Sequence, residues 1–125
     1  MTGKVDQKYV IVLDDDPMIP KIVEKASGFT VLHFTSSEGL RGRGVRYKPI
    51  ALFVDIHLDG EENGLDVVPD LRRIWPAAPI IVVTADYADD MLAQALAAGA
   101  NDFIRKPINN VELKSRLLVR MAEIS

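Results

Sequence analysis

Apolar residues along this chain fall into short unbroken runs separated by spaced stripes. Three runs, Tyr9 to Leu13, Ile50 to Val54 and Ile80 to Val83, are rich in β-branched residues. Such uninterrupted runs predict strands covered on both faces, as in a parallel sheet. Thr30 to Phe34 and Asp102 to Ile104 are weaker strand candidates. Between the runs, Leu65, Val68, Leu71, Ile74 and Trp75 recur at three- and four-residue spacing, which puts them on one helical face. Met91, Leu92, Ala95 and Leu96 repeat the pattern, as do Leu113, Leu117, Met121 and Ile124. Strand and helix therefore alternate, which predicts an α/β domain with helices on both faces of a parallel sheet.

Local residues modify that outline. Pro20 follows Pro17 by three positions, and proline disfavours helical geometry in the residue before it, so the first helix is expected to start late and be short. Pro69 is expected to interrupt the start of the third helix. The run Arg41-Gly42-Arg43-Gly44 is poor helix material and predicts a brief second helix.

In an open parallel sheet, ligands bind beyond the carboxyl ends of the strands. Those ends carry the polar residues here: Asp14, Asp15 and Asp16 after the first run, Asp55 after the third, Thr84 after the fourth, and Lys106-Pro107 after the fifth. Asp14, Asp15 and Asp55 brought together would repel one another unless a cation intervened. Hard carboxylate oxygens suit Mg²⁺, which pairs readily with phosphate, and a carboxylate such as Asp55 can act as a phosphoryl-accepting nucleophile. Asp16 reads as a helix cap.

The runs Tyr9 to Pro17, Ile50 to Asp55, Ile80 to Ala85 and Gly99 to Pro107 together resemble, in order, the four signatures of the receiver domain of two-component response regulators. The resemblance implies a polar extension over residues 1–8 and a receiver domain over 9–125. It also implies a doubly wound, flavodoxin-like, five-stranded sheet of order 2-1-3-4-5, the order of the chemotaxis receiver. By position, Asp55 would be phosphorylated, Asp14, Asp15 and Asp55 with the main-chain carbonyl of His57 would hold Mg²⁺, and Thr84 and Lys106 would bind phosphoryl oxygens. Thr84 and Phe103 would form the switch, and the Lys106-Pro107 peptide would be cis. His57 and Asp86 would border the phosphoryl group. The implied partners are a sensor histidine kinase or phosphotransfer protein and an unidentified downstream effector, with a dimer as one open assembly.

The chain departs from the family pattern after the acceptor. Positions four and eight beyond Asp55, usually proline and glycine, hold Asp59 and Asn63, with Gly64 following; one residue is thus inserted within Leu58 to Asn63. Two further readings compete with a working switch. One is a phosphohydrolase of the haloacid-dehalogenase type using Asp14 and Asp16, in which Asp55 would have no role. The other is a degenerate receiver that binds partners without phosphorylation. Asp55-x-His57-x-Asp59-Gly60 fails as a calcium loop, because His stands third and a strand precedes it; Gly42-x-Gly44 lacks the third glycine of a dinucleotide loop.

Composition narrows the rest. At 125 residues the chain suits one domain, and its end soon after the last stripe leads to the expectation of no effector module. The absence of cysteine excludes disulfides and thiolate chemistry. A net charge of -3 argues against direct nucleic-acid binding, and no apolar run spans a bilayer, so a cytoplasmic protein without membrane contact is expected.

Overall fold

A computed structural model describes residues 8–43, 46–58, 62–85 and 90–122. The polar extension through residue 7, Asp59 and Glu61 of the inserted loop, Asp86, Gly44 and Ile124 therefore lie outside the described residues. Five strands and five helices alternate: β1 Tyr9–Leu13, α1 Met18–Ser27, β2 Thr30–Phe34, α2 Ser37–Arg43, β3 Leu52–Asp55, α3 Gly64–Ile74, β4 Ile80–Thr84, α4 Met91–Ala98, β5 Asp102–Arg105 and α5 Asn110–Ala122. The strands form one sheet in the order β2-β1-β3-β4-β5, all pairings parallel. No helix among the described residues is long and apolar enough to cross a membrane.

Period-two alternation within the runs feeds two cores. Val10, Val12, Phe53, Ile81, Val83 and Ile104 face Ile19 and Val23 of α1 and Leu113 and Leu117 of α5. Ile11, Leu13, Leu52, Val54, Ile80 and Val82 face the other way, toward Leu40 of α2, Val67, Val68 and Leu71 of α3, and Met91 and Ala95 of α4. Each fully buried aliphatic side chain contributes about 1.5–3 kcal/mol. This two-sided burial explains why the runs carry no polar alternation.

The structure corrects several local expectations. α1 is neither late nor short: it begins at Met18 directly after Pro17 and runs for 10 residues. Pro20 sits in its first turn, where backbone N–H groups lack intrahelical acceptors, so the missing donor costs nothing. Pro69 does not break α3, which runs through it; the proline is exposed while Val67, Val68 and Leu71 are buried behind it. In α4 only Met91 and Ala95 are buried, whereas Leu92 and Leu96 are each 48% exposed. The third strand lies at Leu52–Asp55, two residues later at its start than the apolar run suggests and extending to the acid at its end.

The ends of the sheet are fastened differently. At the amino ends of the strands, the Arg72 guanidinium donates to the carbonyls of Trp75, Pro76, Ala78 and Gly99 and to Asn101 Oδ1. At the carboxyl ends, α3 starts hard against β3. The Gly64 N–H donates to Ile56 O at 2.6 Å, and a Cβ built on Gly64 would lie 1.9 Å from Asp55 O. Only glycine fits there, so Gly64 is the residue that lets α3 meet the acidic strand end. Gly64→Ala should therefore push back the Asp55 main chain and destabilise the fold by about 1–3 kcal/mol or more, read as a lowered urea midpoint. An unchanged midpoint would refute this close approach.

Candidate functional site

The carboxyl ends of four of the five strands, β1, β3, β4 and β5, carry polar residues at one end of the sheet. Asp14 follows β1 and is 1% exposed, Asp55 ends β3 and is 5% exposed, and Thr84 ends β4 fully buried. Asp15 stands exposed beside them. Carboxylate oxygens of Asp14, Asp15 and Asp55 all lie within 4.8 Å of one another. Lys106, one residue past β5, completes the group: its Nζ stands 3.0 Å from Asp14 Oδ2 and 3.1 Å from Asp55 Oδ2. Its backbone N–H donates to Thr84 O at 2.8 Å, which ties the ends of β4 and β5 together. The Lys106-Pro107 peptide is cis.

Neighbouring donors fix the two buried acids. The Asp16 N–H donates to Asp14 Oδ1 at 2.9 Å, and the His57 N–H donates to Asp55 Oδ1 at 3.2 Å. The directed bond from Lys106 goes to Asp55 Oδ2, leaving Asp14 Oδ2 buried with a nearby positive charge but no aligned donor. Burial is the main cause that pushes the Asp14 carboxyl up to about 6; Asp55 adds to the rise, while the Asp16 N–H and Lys106 oppose it. For Lys106, burial works against the charged form, but the two neighbouring carboxylates, Asp14 and Asp55, outweigh it and raise its pKa.

This donor set fits a hard divalent cation. It offers three clustered carboxylates, of which two are buried, and one oxygen that lacks a hydrogen bond. Asp16 does not belong to it: it is exposed and its carboxylate accepts the Met18 N–H at 2.9 Å, but the N-cap position expected for it is held by Pro17, one residue later. The structure thus groups Asp14 with Asp15 and Asp55 and leaves Asp16 aside, the reverse of what a hydrolase built on Asp14 and Asp16 requires.

Two predicted residues contribute no side chain to the acidic cluster. Phe103 is buried on the face of β5 toward Met91 and Ala95 of α4, with the Arg105 guanidinium 5.9 Å from its ring centroid. The His57 side chain is exposed, and His57 pairs across an antiparallel bridge with Asn63. Sequence reasoning missed Glu62, whose carboxylate takes the Ser37 N–H at 3.0 Å and the Ser37 hydroxyl at the start of α2. No sequence signal links residues 25 positions apart in this way.

Comparison with known proteins agrees with this architecture. KdpE, a transcriptional regulatory protein of Mycobacterium tuberculosis, is 32% identical over 111 residues, covering 86% of this chain and 48% of that protein. The KDP operon transcriptional regulatory protein KdpE of Escherichia coli is 33% identical over 117 residues, covering 90% and 50%. The chain thus spans about half the length of these relatives. A crystal structure of a response regulator from Thermotoga maritima superposes with a TM-score of 0.82 at 26% identity, covering 93% of this chain and 98% of that one. The profile of the response regulator receiver domain matches residues 10–118, the whole span from β1 into α5. With five parallel strands in the doubly wound order and an acidic crevice at their carboxyl ends, the chain belongs to the response regulator receiver domain family.

Proposed function

We propose that Asp55 accepts a phosphoryl group from a sensor histidine kinase or phosphotransfer protein and that the chain is a switch, catalysing only its own phosphorylation and dephosphorylation. The observation that carries this reading is Lys106 Nζ standing between Asp14 and Asp55, at 3.0 and 3.1 Å, within a cluster of three carboxylates. In the transfer, a carboxylate oxygen of Asp55 forms a bond to phosphorus as the donor's P–N bond breaks, and the electron pair leaves with the histidine nitrogen. Mg²⁺, when held by Asp14, Asp15, Asp55 and the main-chain carbonyl of His57, supplies the neutralisation that lets an anionic donor approach these acids. Lys106 then bonds one phosphoryl oxygen and the Thr84 hydroxyl another.

The new charge on Asp55 draws Thr84 and Lys106 toward it, and both sit at the ends of paired strands, so β5 shifts with them. Phe103 lies on that strand, against α4. The neighbouring surface suits a partner: Leu92 and Leu96 of α4 and Val111, Leu118 and Val119 of α5 are exposed, and Leu92, Phe103, Arg105, Glu112 and Arg116 line a cavity of about 310 Å³. The downstream effector is then a protein that reads the α4–β5–α5 face.

Incubation with acetyl phosphate and Mg²⁺ should add one phosphoryl group to the native chain and none to Asp55→Asn, measured as intact mass. A native chain that gains no mass, or an Asp55→Asn variant that gains it equally, refutes the assignment. A second outcome follows from Asp14. Because its carboxyl is held up at about 6, protons compete with the cation below that pH, and binding there must expel one. Mg²⁺ affinity by calorimetry should fall about tenfold between roughly pH 8 and roughly pH 5. A flat profile would mean that Asp14 is not a ligand.

A further inference from the structure

The inserted loop after Asp55 returns to the sheet through Glu62, and that return is pinned on the start of α2. Three contacts join its two limbs: the Leu58 N–H donates to Glu62 O at 3.1 Å, His57 pairs with Asn63, and the Gly64 N–H donates to Ile56 O at 2.6 Å. The returning limb therefore braces Ile56 to Leu58, alongside the burial of Ile56 and Leu58 in the core. One end of that limb is fixed by Gly64 packed on the Asp55 main chain. The other end is fixed by the Glu62 carboxylate, which accepts from both the backbone N–H and the hydroxyl of Ser37. Ser37 is 2% exposed, and a carboxylate facing a backbone N–H and a hydroxyl in such a place makes a stronger bond than a neutral acceptor would.

We propose that Glu62 is a positioning residue for the cation site: by locking onto Ser37 it holds the limb that presents the His57 main-chain carbonyl. The inference rests on the Mg²⁺ reading given above. The lock has a second consequence. A fourth acid, seven residues from Asp55 in sequence, is turned onto α2 and is absent from the cluster formed by Asp14, Asp15 and Asp55. Release of Glu62 would both loosen a ligand and free another negative charge near the site. It also makes the start of α2 a point from which the cation site can be adjusted.

Mg²⁺ calorimetry and amide hydrogen exchange on the full chain test this together. Glu62→Ala should bind Mg²⁺ about tenfold more weakly than the native chain, the size expected when a group that orients a metal ligand is removed. The Leu58 amide should exchange about tenfold faster as its limb opens. Ser37→Ala should shift both readouts in the same direction, and the double variant should be no worse than Glu62→Ala, because a single contact is being removed. Glu62→Gln keeps an acceptor for the Ser37 N–H and should restore most of the affinity. Native affinity in Glu62→Ala overturns the positioning role, even if Leu58 exchanges faster. If the native chain itself binds no Mg²⁺, the cation reading fails and the positioning role falls with it.

Discussion

Placing two buried carboxylates and a third exposed one at the end of a hydrophobic sheet is the constraint around which this domain is arranged. Like charges at that separation raise the free energy of the fold unless a positive group answers them. Lys106 is that group, and it can answer both Asp14 and Asp55 because β5 ends beside β4, with the Lys106 N–H fastened to Thr84 O. The compensation is incomplete. Asp14 Oδ2 still lacks an aligned donor, and its carboxyl is held well above the usual carboxylate range by burial. A site poised in this way favours whatever brings positive charge to it, and it responds when negative charge is added.

Much of this was legible in the chain because the strands are buried on both faces. Unbroken runs such as Ile80 to Val83 leave few alternatives to a central parallel strand, and polar residues at their ends stand out against that background. The grouping of Asp14, Asp15, Asp55, Thr84 and Lys106 at one end of the sheet followed from strand direction alone. Helices were read less well, since apolar spacing cannot say which leucines a sheet will cover. Leu92 and Leu96 share the spacing of Met91 and Ala95 yet face solvent. Proline does not limit the helices at Pro20, where the first turn needs no donor, or at Pro69, where burial of Val68 and Leu71 holds α3 together.

Contacts between distant polar residues left no trace in the pattern. Glu62 on Ser37, and Arg72 on the carbonyls of Ala78 and Gly99, depend on loops meeting in space. The displaced glycine is an instructive intermediate case. Its offset from the family spacing was visible as an inserted residue, but why Gly64 is the position that matters required the 1.9 Å approach to Asp55 O. The insertion is absorbed before the helix, so α3 still starts against the acidic strand end.

β5 shows how a local charge change can be felt by two helices at once. Its side chains alternate: Asp102 points to α5, where it pairs with Arg116 at 2.8 Å and Arg120 at 3.3 Å, Phe103 packs toward α4, and Ile104 returns to the core with Leu113 and Leu117. Lys106 follows directly and carries the charge contact with Asp55. The other end of the α4–β5 connection is clamped by Arg72 through Gly99 O and Asn101 Oδ1. A pull on Lys106 thus acts on a short strand whose far end is fixed. Such a strand cannot slide freely as a whole, so displacement concentrates at its carboxyl end and in the side chains that contact α4 and α5.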